Sequence, residues 1–284
     1  MKNPKLSIII PVYNGEKTLK NCLNSILNQN FKNFELIIIN NNSSDNTKSI
    51  IGKFIRKNSK IKYFFEKKQG IGNARYKGER NAKGEIILMT DCDCIAQKNW
   101  AGSMISAFSD KKIIAVQGEI KSLEKNYWAD NIDNEKERIA KERVKDNCPG
   151  IIDTANFAIR KNVLKKIGFS NSQVKYSNDL ELEIRLKSKN YKIDFKPIKI
   201  FHLHKNNFLQ IFLKWAKRGE EFGRIISEYN PSKLPCTKKD FSNLRFFTNI
   251  ILELITLKRT FLYNFTTGIA WRIGKLAYQI KTHR

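Results

Sequence analysis

Hydrophobic positions in the first 120 residues fall into short unbroken runs separated by polar, helix-patterned stretches. Leu6 to Val12 is apolar and rich in β-branched isoleucine, and it ends in Pro11-Val12-Tyr13-Asn14-Gly15. Phe34 to Ile39, Ile61 to Phe65, Glu85 to Met89 and Ile113 to Gln117 repeat the pattern. Runs of this kind predict strands buried on both faces. The intervening segments predict helices. Leu19, Cys22, Leu23, Ile26 and Leu27 share one face, and a second helix is expected near Lys48 to Ile55, after Asp45. A third follows Gly70-Ile71-Gly72 through Ala82, and Trp100 to Phe108 makes a fourth. Strands alternating with helices indicate a mostly parallel sheet flanked by helices, which binds ligands at the carboxyl ends of its strands. The polar clusters Tyr13-Asn14, Asn40 to Asp45 and Asp91 to Asp93 each follow a strand, so three contact loops are expected along one edge.

The pattern changes beyond residue 120. Asp130 to Asp146 is densely charged and reads either as a solvated helix or as a mobile loop. Ile151 to Ile159 has strand character, Asn162 to Ile167 predicts a short helix, and Asp179 to Lys189 a longer one with Leu182 and Leu186 inward. Lys192 to Ile200 returns as a strand that Pro197 is expected to break. From Phe208 onward the chain reads as helical, over Phe208 to Glu228, Leu244 to Leu257 and Phe261 to Ile280, with Pro231 and Pro235 marking a connector. The resulting division is a strand-and-helix domain over 1–205, with halves 1–119 and 120–205, and a helical C-terminal region over 206–284.

Charge adds a preference for phosphate without naming its source. The 53 basic and 27 acidic residues give a net charge of +26, which attracts nucleic acid, anionic lipid or nucleotides alike. Lysine is abundant throughout, so the excess alone selects no partner. The chain passes from Met1 directly into a strand pattern, and no cleavable signal peptide is expected. No apolar run reaches the ~18–20 residues that crossing a bilayer requires. The cysteines are Cys22, Cys92, Cys94, Cys148 and Cys236, an odd set without CxxC spacing, and reduced thiols are expected. A cytoplasmic location follows, peripheral on the cytoplasmic membrane face. The C-terminal helices mix Phe, Leu, Ile and Trp with Lys and Arg, as an anionic membrane surface would require. Packing on the catalytic domain or on another subunit would suit them equally.

The sharpest chemical feature is Asp91-Cys92-Asp93, two carboxylates directly after a buried strand. Carboxylates so placed reach one hard cation and leave positions open for diphosphate oxygens. The interleaved Cys92 and Cys94 raise zinc as a rival, although no second Cys/His pair has finger spacing.

Several strings together resemble family 2 glycosyltransferases, the inverting group with a GT-A fold. They are Leu6 to Glu16, Asn40 to Thr47, Gly70 to Arg75 with Gly78, Ala82 and Gly84, and the terminal Asp91-Cys92-Asp93. Asn156 to Arg160 and Asn178 to Leu182 are similar to its acceptor-side blocks. The resemblance covers about residues 5–220 and implies a GT-A catalytic domain with a helical C-terminal extension. It implies a hexosyltransferase that uses a nucleotide-diphosphate sugar donor, Mn2+ or Mg2+, and a saccharide or lipid-linked acceptor in cell-envelope synthesis. No specific nucleic acid is expected.

The resemblance also implies roles. Pro11, Tyr13, Glu16, Asn40, Arg75 and Asp91 would contact the nucleotide, with Asn40 standing where many members carry an aspartate. Asp93 would hold the metal with Asp91 and His202. Asn156, Glu181 and His204 would lie on the acceptor and diphosphate side. Asp179 would be the catalytic base, because an acceptor hydroxyl must lose its proton to become a good nucleophile. As a residue at a helix start, Asp179 would also serve as a cap. Two other classes fit less well. A nucleotidyltransferase would need a glycine-rich basic loop after the first strand, which Pro11 to Glu16 lacks, and a non-catalytic basic protein would not need Asp93 and Asp179 together.

Overall fold

The structure is a computed structural model that describes residues 4–146, 152–203, 207–229 and 260–282. The chain divides into two units. The first comprises Met1–Leu123 and Gly150–Leu203, and the second Glu124–Pro149 and His204–Arg284. The second unit thus takes in residues 124–149, which the sequence grouped with the half over 120–205.

The first unit alternates strand and helix as expected, through β1 (Leu6–Val12), α1 (Leu19–Leu27), β2 (Phe34–Asn40), α2 (Thr47–Ile55), β3 (Ile61–Phe65), α3 (Ile71–Asn81) and β4 (Ile86–Met89). β5 (Cys94–Ala96), α4 (Trp100–Ser106) and β6 (Ala115–Ser122) follow. After residue 150 come β7 (Phe157–Arg160), α6 (Lys161–Ile167), α7 (Asn178–Ser188) and β8 (Asp194–His202). The strands form one sheet in the order β3-β2-β1-β4-β7-β6-β8-β5. β3, β2, β1 and β4 are mutually parallel, whereas β7 runs antiparallel to both β4 and β6.

Strand periodicity explains the unbroken apolar runs. Leu6, Ile8, Ile10, Leu36 and Ile38 enter the core on one face of the sheet, beneath α1. Ile9, Ile37, Ile39, Ile87 and Met89 enter the core on the other face, beneath α3. A strand covered on both sides has no polar face to show, because successive side chains alternate between two dry layers.

The strand reading at Ile151 to Ile159 was too long, since Thr154–Asn156 forms a single 3-10 turn before β7 begins. The expected break at Pro197 also does not occur. β8 continues through it, and the register against β6 jumps from Gly118 opposite Lys196 to Glu119 opposite Lys199. A proline has no N–H to give the ladder, and a bulge is where a strand tolerates one. Asn156 fills the gap, its Nδ2 donating to the carbonyls of Glu119 and Ile198, both at 2.8 Å. Trp100 Nε1 donates to Asn156 Oδ1 at 2.8 Å. Gly118 leaves room for this amide, since a Cβ there would collide with Asn156 Nδ2 and with Met104.

In the second unit the charged stretch is helical, α5 (Tyr127–Asp146), and α8 (Phe208–Glu228) and α9 (Phe261–Thr282) form a packed pair. Gly219 and Gly274 let the two backbones nearly touch, because a Cβ at either would overlap a carbonyl of the other helix. Phe222 packs on Trp271 with ring centroids 4.9 Å apart, and Ser227 Oγ meets the Tyr278 hydroxyl at 2.9 Å. α5 joins them through Tyr263, whose hydroxyl donates to Glu135 at 2.6 Å. Along α9, Leu262, Phe265, Ile273, Leu276 and Ile280 form an exposed apolar stripe. Among the described residues no helix is long and apolar enough to cross a membrane. The helix expected over Leu244 to Leu257 lies outside the described residues.

Candidate active site

α3 carries the residue around which the site is built. Ala74 and Gly78 mark the face packed on the sheet, and a Cβ at Gly78 would run into Ile9 and Ile39. Arg75 lies one position beyond Ala74, about 100° further round the helix, and is also buried, 5% exposed. Its guanidinium forks between two carboxylates. Nη2 donates to Asp91 Oδ1 at 3.3 Å, and Nη1 donates to Asp179 Oδ1 at 3.1 Å. Asn178 Oδ1 also lies 3.5 Å from Nη1, so a neighbouring amide faces the same cation. Burial works against the arginine's charge. Asp179, Asp91, Glu79 and Asp153 outweigh that effect and hold it firmly protonated.

Asp179 sits in the first turn of α7, where a carboxylate is favoured by the exposed N–H groups and the helix dipole. A second donor fixes it, since the buried Thr154 hydroxyl donates to the same Oδ1 at 2.6 Å. Thr154 was not foreseen, and the acidic helix start gave no sign of a partner 25 residues upstream. Asp91 is the other carboxylate of the fork. Burial is the main reason its carboxyl titrates above the usual range, and Asp93 pushes in the same direction while Arg75 opposes them.

Asp93 and His202 meet through β5, a three-residue strand that the sequence reading missed. β5 pairs antiparallel with β8, and Cys94 stands directly opposite His202. Leu203 N–H donates to the Asp93 carbonyl at 3.0 Å and Cys94 N–H to that of Asp91 at 3.2 Å, so the 91–94 turn is pinned to the end of β8. His202 Nε2 lies 3.1 Å from Asp93 Oδ1. The ligand atoms of Asp93, Cys94 and His202 all lie within 4.8 Å of one another. The donor chemistry fits a divalent cation, since two adjacent ligands of an ion bound at ~2.1–2.2 Å are themselves about 3 Å apart. Burial pushes the thiols of Cys22, Cys92 and Cys94 upward, with Asp91 and Asp93 adding to the effect.

Beside this cluster opens a cleft of about 360 Å³, lined at the strand ends by Pro11, Val12, Tyr13 and Asn41. Gln69, Gly70, Ile71 and Ala74 form a second wall, and Lys175 with Tyr176 a third. Tyr13 and Tyr176 are half-exposed at its rim. The cleft and the carboxylate cluster share two segments, because Ala74 precedes Arg75 and Tyr176 lies three residues before Asp179. Asn41 shapes the wall: it donates to the Lys68 carbonyl at 2.8 Å and accepts from Gly70 N–H at 2.8 Å. Gly70 adopts φ 134°, a conformation that favours glycine.

Several expected contacts have other engagements. Asn156 was assigned to the acceptor side but is fully buried and committed to the β8 bulge. Glu181 is fully buried as well, accepting from Arg185 Nε at 2.7 Å and Nη2 at 2.9 Å. Arg185 Nη1 in turn donates to the Ile167 and Gly168 carbonyls at the end of α6. Glu16 does not line the cleft, and it accepts from Asn46 Nδ2 at 2.8 Å. Asn40 closes its own loop, accepting from Ser43 N–H at 3.0 Å. Arg75 is the buried bridge described above, neither an exposed helix cation nor a residue of the cleft lining. Pro11 and Tyr13 do line the cleft, and His204 lies outside the described residues.

A twisted, largely parallel sheet with acidic residues at its strand ends and a cleft beside them defines a GT-A fold. Over nearly its whole length the structure is similar to the mannosyltransferase PcManGT from Pyrobaculum calidifontis in complex with GDP-Man and Mn2+. The TM-score is 0.71 at 16% identity, covering 97% of this chain and 88% of that one. S. aureus TarS 1-349 in complex with UDP-GlcNAc is similar at a TM-score of 0.56 and 15% identity, covering 98% of this chain and 92% of that one. In sequence, residues 7–168 match Glycosyl transferase family 2, and the chain belongs to that family.

The GalNAc(5)-diNAcBac-PP-undecaprenol beta-1,3-glucosyltransferase of Campylobacter jejuni is 39% identical over 92 residues, 32% of this chain and 30% of that protein. Glycosyltransferase AglE of Haloferax volcanii is 25% identical over 197 residues, 68% of this chain and 64% of that protein. The chain spans less than two thirds of each.

Proposed function

We propose that this protein is an inverting glycosyltransferase that moves a hexose from a nucleotide-diphosphate sugar to an acceptor hydroxyl. The observation that carries the reading is the Arg75 fork, which fixes a donor-side carboxylate, Asp91, and a candidate base, Asp179, on one cation. The nucleoside would enter the 360 Å³ cleft against Tyr13 and Tyr176, with its diphosphate directed toward Asp91 and Asp93. Relatives and structural neighbours named for GDP-Man, UDP-GlcNAc and an undecaprenyl-linked acceptor support this substrate class.

In the reaction Asp179 takes the proton of the acceptor hydroxyl as its oxygen bonds to the anomeric carbon. The bond from that carbon to the diphosphate oxygen breaks on the opposite face, which inverts the centre. Arg75 and Thr154 hold the base by Oδ1, so its carboxylate does not rotate during proton transfer. Asp93 and His202, with Asp91 beside them, would hold Mn2+ or Mg2+. When bound, such a cation stabilises negative charge on the departing diphosphate.

Calorimetric titration with UDP and GDP tests the donor half of this reading. Binding to one of them is expected in the presence of Mn2+, weakened about 10-fold or more without it. An Asp93→Ala variant should bind alike with and without the ion. Equal binding by wild-type protein under both conditions would contradict the metal assignment.

The second unit supports a membrane-surface acceptor. The exposed stripe of α9 lies on a helix that also carries Arg272, Lys275 and Lys281, a mixture suited to an anionic interface. Flotation with anionic vesicles should recover the protein at low salt and lose most of it at high salt, whereas neutral vesicles should recover little. Equal recovery from both vesicle types would contradict the electrostatic contribution.

A further inference from the structure

The cation site proposed above rests on Asp93 and His202, and its third neighbour has no part in that reading. Cys94 is 1% exposed and stands opposite His202 in the β5–β8 ladder. Residues directly opposite in an antiparallel pair project from the same face of the ladder. Its sulfur belongs to the group of ligand atoms formed with the Asp93 carboxylate and the His202 imidazole, all within 4.8 Å. The other described cysteines are engaged differently. Cys22 Sγ donates to the Asp91 carbonyl at 3.4 Å, and Cys92 is partly buried against the same hydrophobic core that Cys22 and Cys94 enter. Of the three, Cys94 alone places sulfur beside both an oxygen and a nitrogen donor.

We infer that Cys94 is a ligand of the site, giving the cation a mixed oxygen, nitrogen and sulfur set that selects thiophilic ions over Mg2+. Carboxylate and water are sufficient for Mg2+ and Mn2+, whereas imidazole and thiolate shift affinity toward Co2+ and Zn2+. When such an ion enters, the thiol proton passes to solvent and the sulfur–metal bond takes its place. The pinned 91–94 turn limits reorganisation, because Asp91, Asp93 and Leu203 are already joined through backbone hydrogen bonds. The inference depends on the cation reading, and its test separates the two.

Cobalt(II) added to the purified full-length protein serves as the probe. Wild-type protein should show ligand-field bands in the visible and a sulfur-to-cobalt charge-transfer band in the near ultraviolet. Cys94→Ser should lose the charge-transfer band, keep the ligand-field bands and bind Co2+ about 10-fold or more weakly. Its Mg2+ affinity should stay within about two-fold, because Mg2+ gains little from sulfur. Cys92→Ser should retain both sets of bands. X-ray absorption at the cobalt edge of the wild-type protein gives a readout that does not depend on any variant folding, with one sulfur expected in the coordination shell. Ligand-field bands without a charge-transfer band, a shell without sulfur, or a band that survives in Cys94→Ser would overturn the Cys94 assignment and leave the cation site standing. No calorimetric uptake of Co2+ would overturn both.

Discussion

Replacing Asp179 with asparagine is expected to slow sugar transfer by about 10²–10⁴-fold, the range a positioned general base contributes. The amide keeps the shape of the side chain and can still accept from Thr154 and Arg75, both of which address Oδ1. It cannot take the acceptor's proton. Donor binding should therefore survive, because the nucleoside cleft is lined by other residues. The informative comparison is single-turnover transfer against nucleoside diphosphate affinity on the same preparation. A variant that loses donor affinity and rate in equal measure would show that Asp179 acts through the structure of the cleft. Asp179 does not act as the expected helix cap, because the N-cap position falls on Ser177 and the Asp179 carboxylate is taken up by Arg75 and Thr154.

Arg75→Met is expected to have the largest effect on folding. It leaves two carboxylates, Asp91 and Asp179, without the cation that now separates them. Removing one partner of a fully buried pair costs about 3–5 kcal/mol. Asp91 and Asp179 side chains are 29% and 17% exposed, so solvent screening reduces the expected loss to about 2–3 kcal/mol. Urea unfolding measures it as a lower midpoint with an unchanged slope. Arg75→Lys should recover only part of the loss, because an ammonium cannot fork between two carboxylates.

The pH dependence of the loss follows from linkage. Asp91 already titrates above its usual range in the folded protein, chiefly through burial, and losing Arg75 removes an influence that lowers it. A carboxyl with a raised folded value binds more protons when folded than when unfolded. The variant's stability therefore falls as pH rises from the unfolded value toward the folded one. Its deficit relative to wild type should be larger at neutral pH than near the ordinary carboxylate range. A deficit independent of pH would show that Arg75 stabilises by packing alone.

The sequence revealed the parallel half of the sheet with little ambiguity, because strands dry on both faces leave a pattern that few other elements share. β1 spans the same residues as its apolar run and is buried throughout. β3 matches its run but is an edge strand with Lys62 and Phe65 exposed, not buried on both faces. β5 escaped notice because three residues cannot establish a period, and its pairing with β8 joins positions about 100 residues apart. The continuation of β8 through Pro197 was equally hidden, because it depends on a bulge filled by Asn156 from β7's approach. The same limit applied to the site. Asp91, Asp93, Asp179 and His202 were visible as motif residues, whereas the Arg75 fork and Thr154 are relations between distant segments. Arg75 did leave a signal. The small residues Ala74, Gly78 and Ala82 repeat at helical spacing and mark the packed face, and Arg75 and Glu79 repeat at the same spacing beside it, both buried. Asn156 and Glu181 show the converse, since these polar motif residues are fully buried and bonded within the fold.

Release of nucleoside diphosphate from a panel of nucleotide sugars, with Mn2+ and membrane extract as acceptor source, tests the proposed chemistry most directly. Wild-type protein should release it from one or a few donors, and Asp179→Asn should bind those donors while releasing about 10²-fold less or lower still. If wild-type protein releases no nucleoside diphosphate from any donor, with or without extract, then the carboxylates around Arg75 are not a sugar-transfer site.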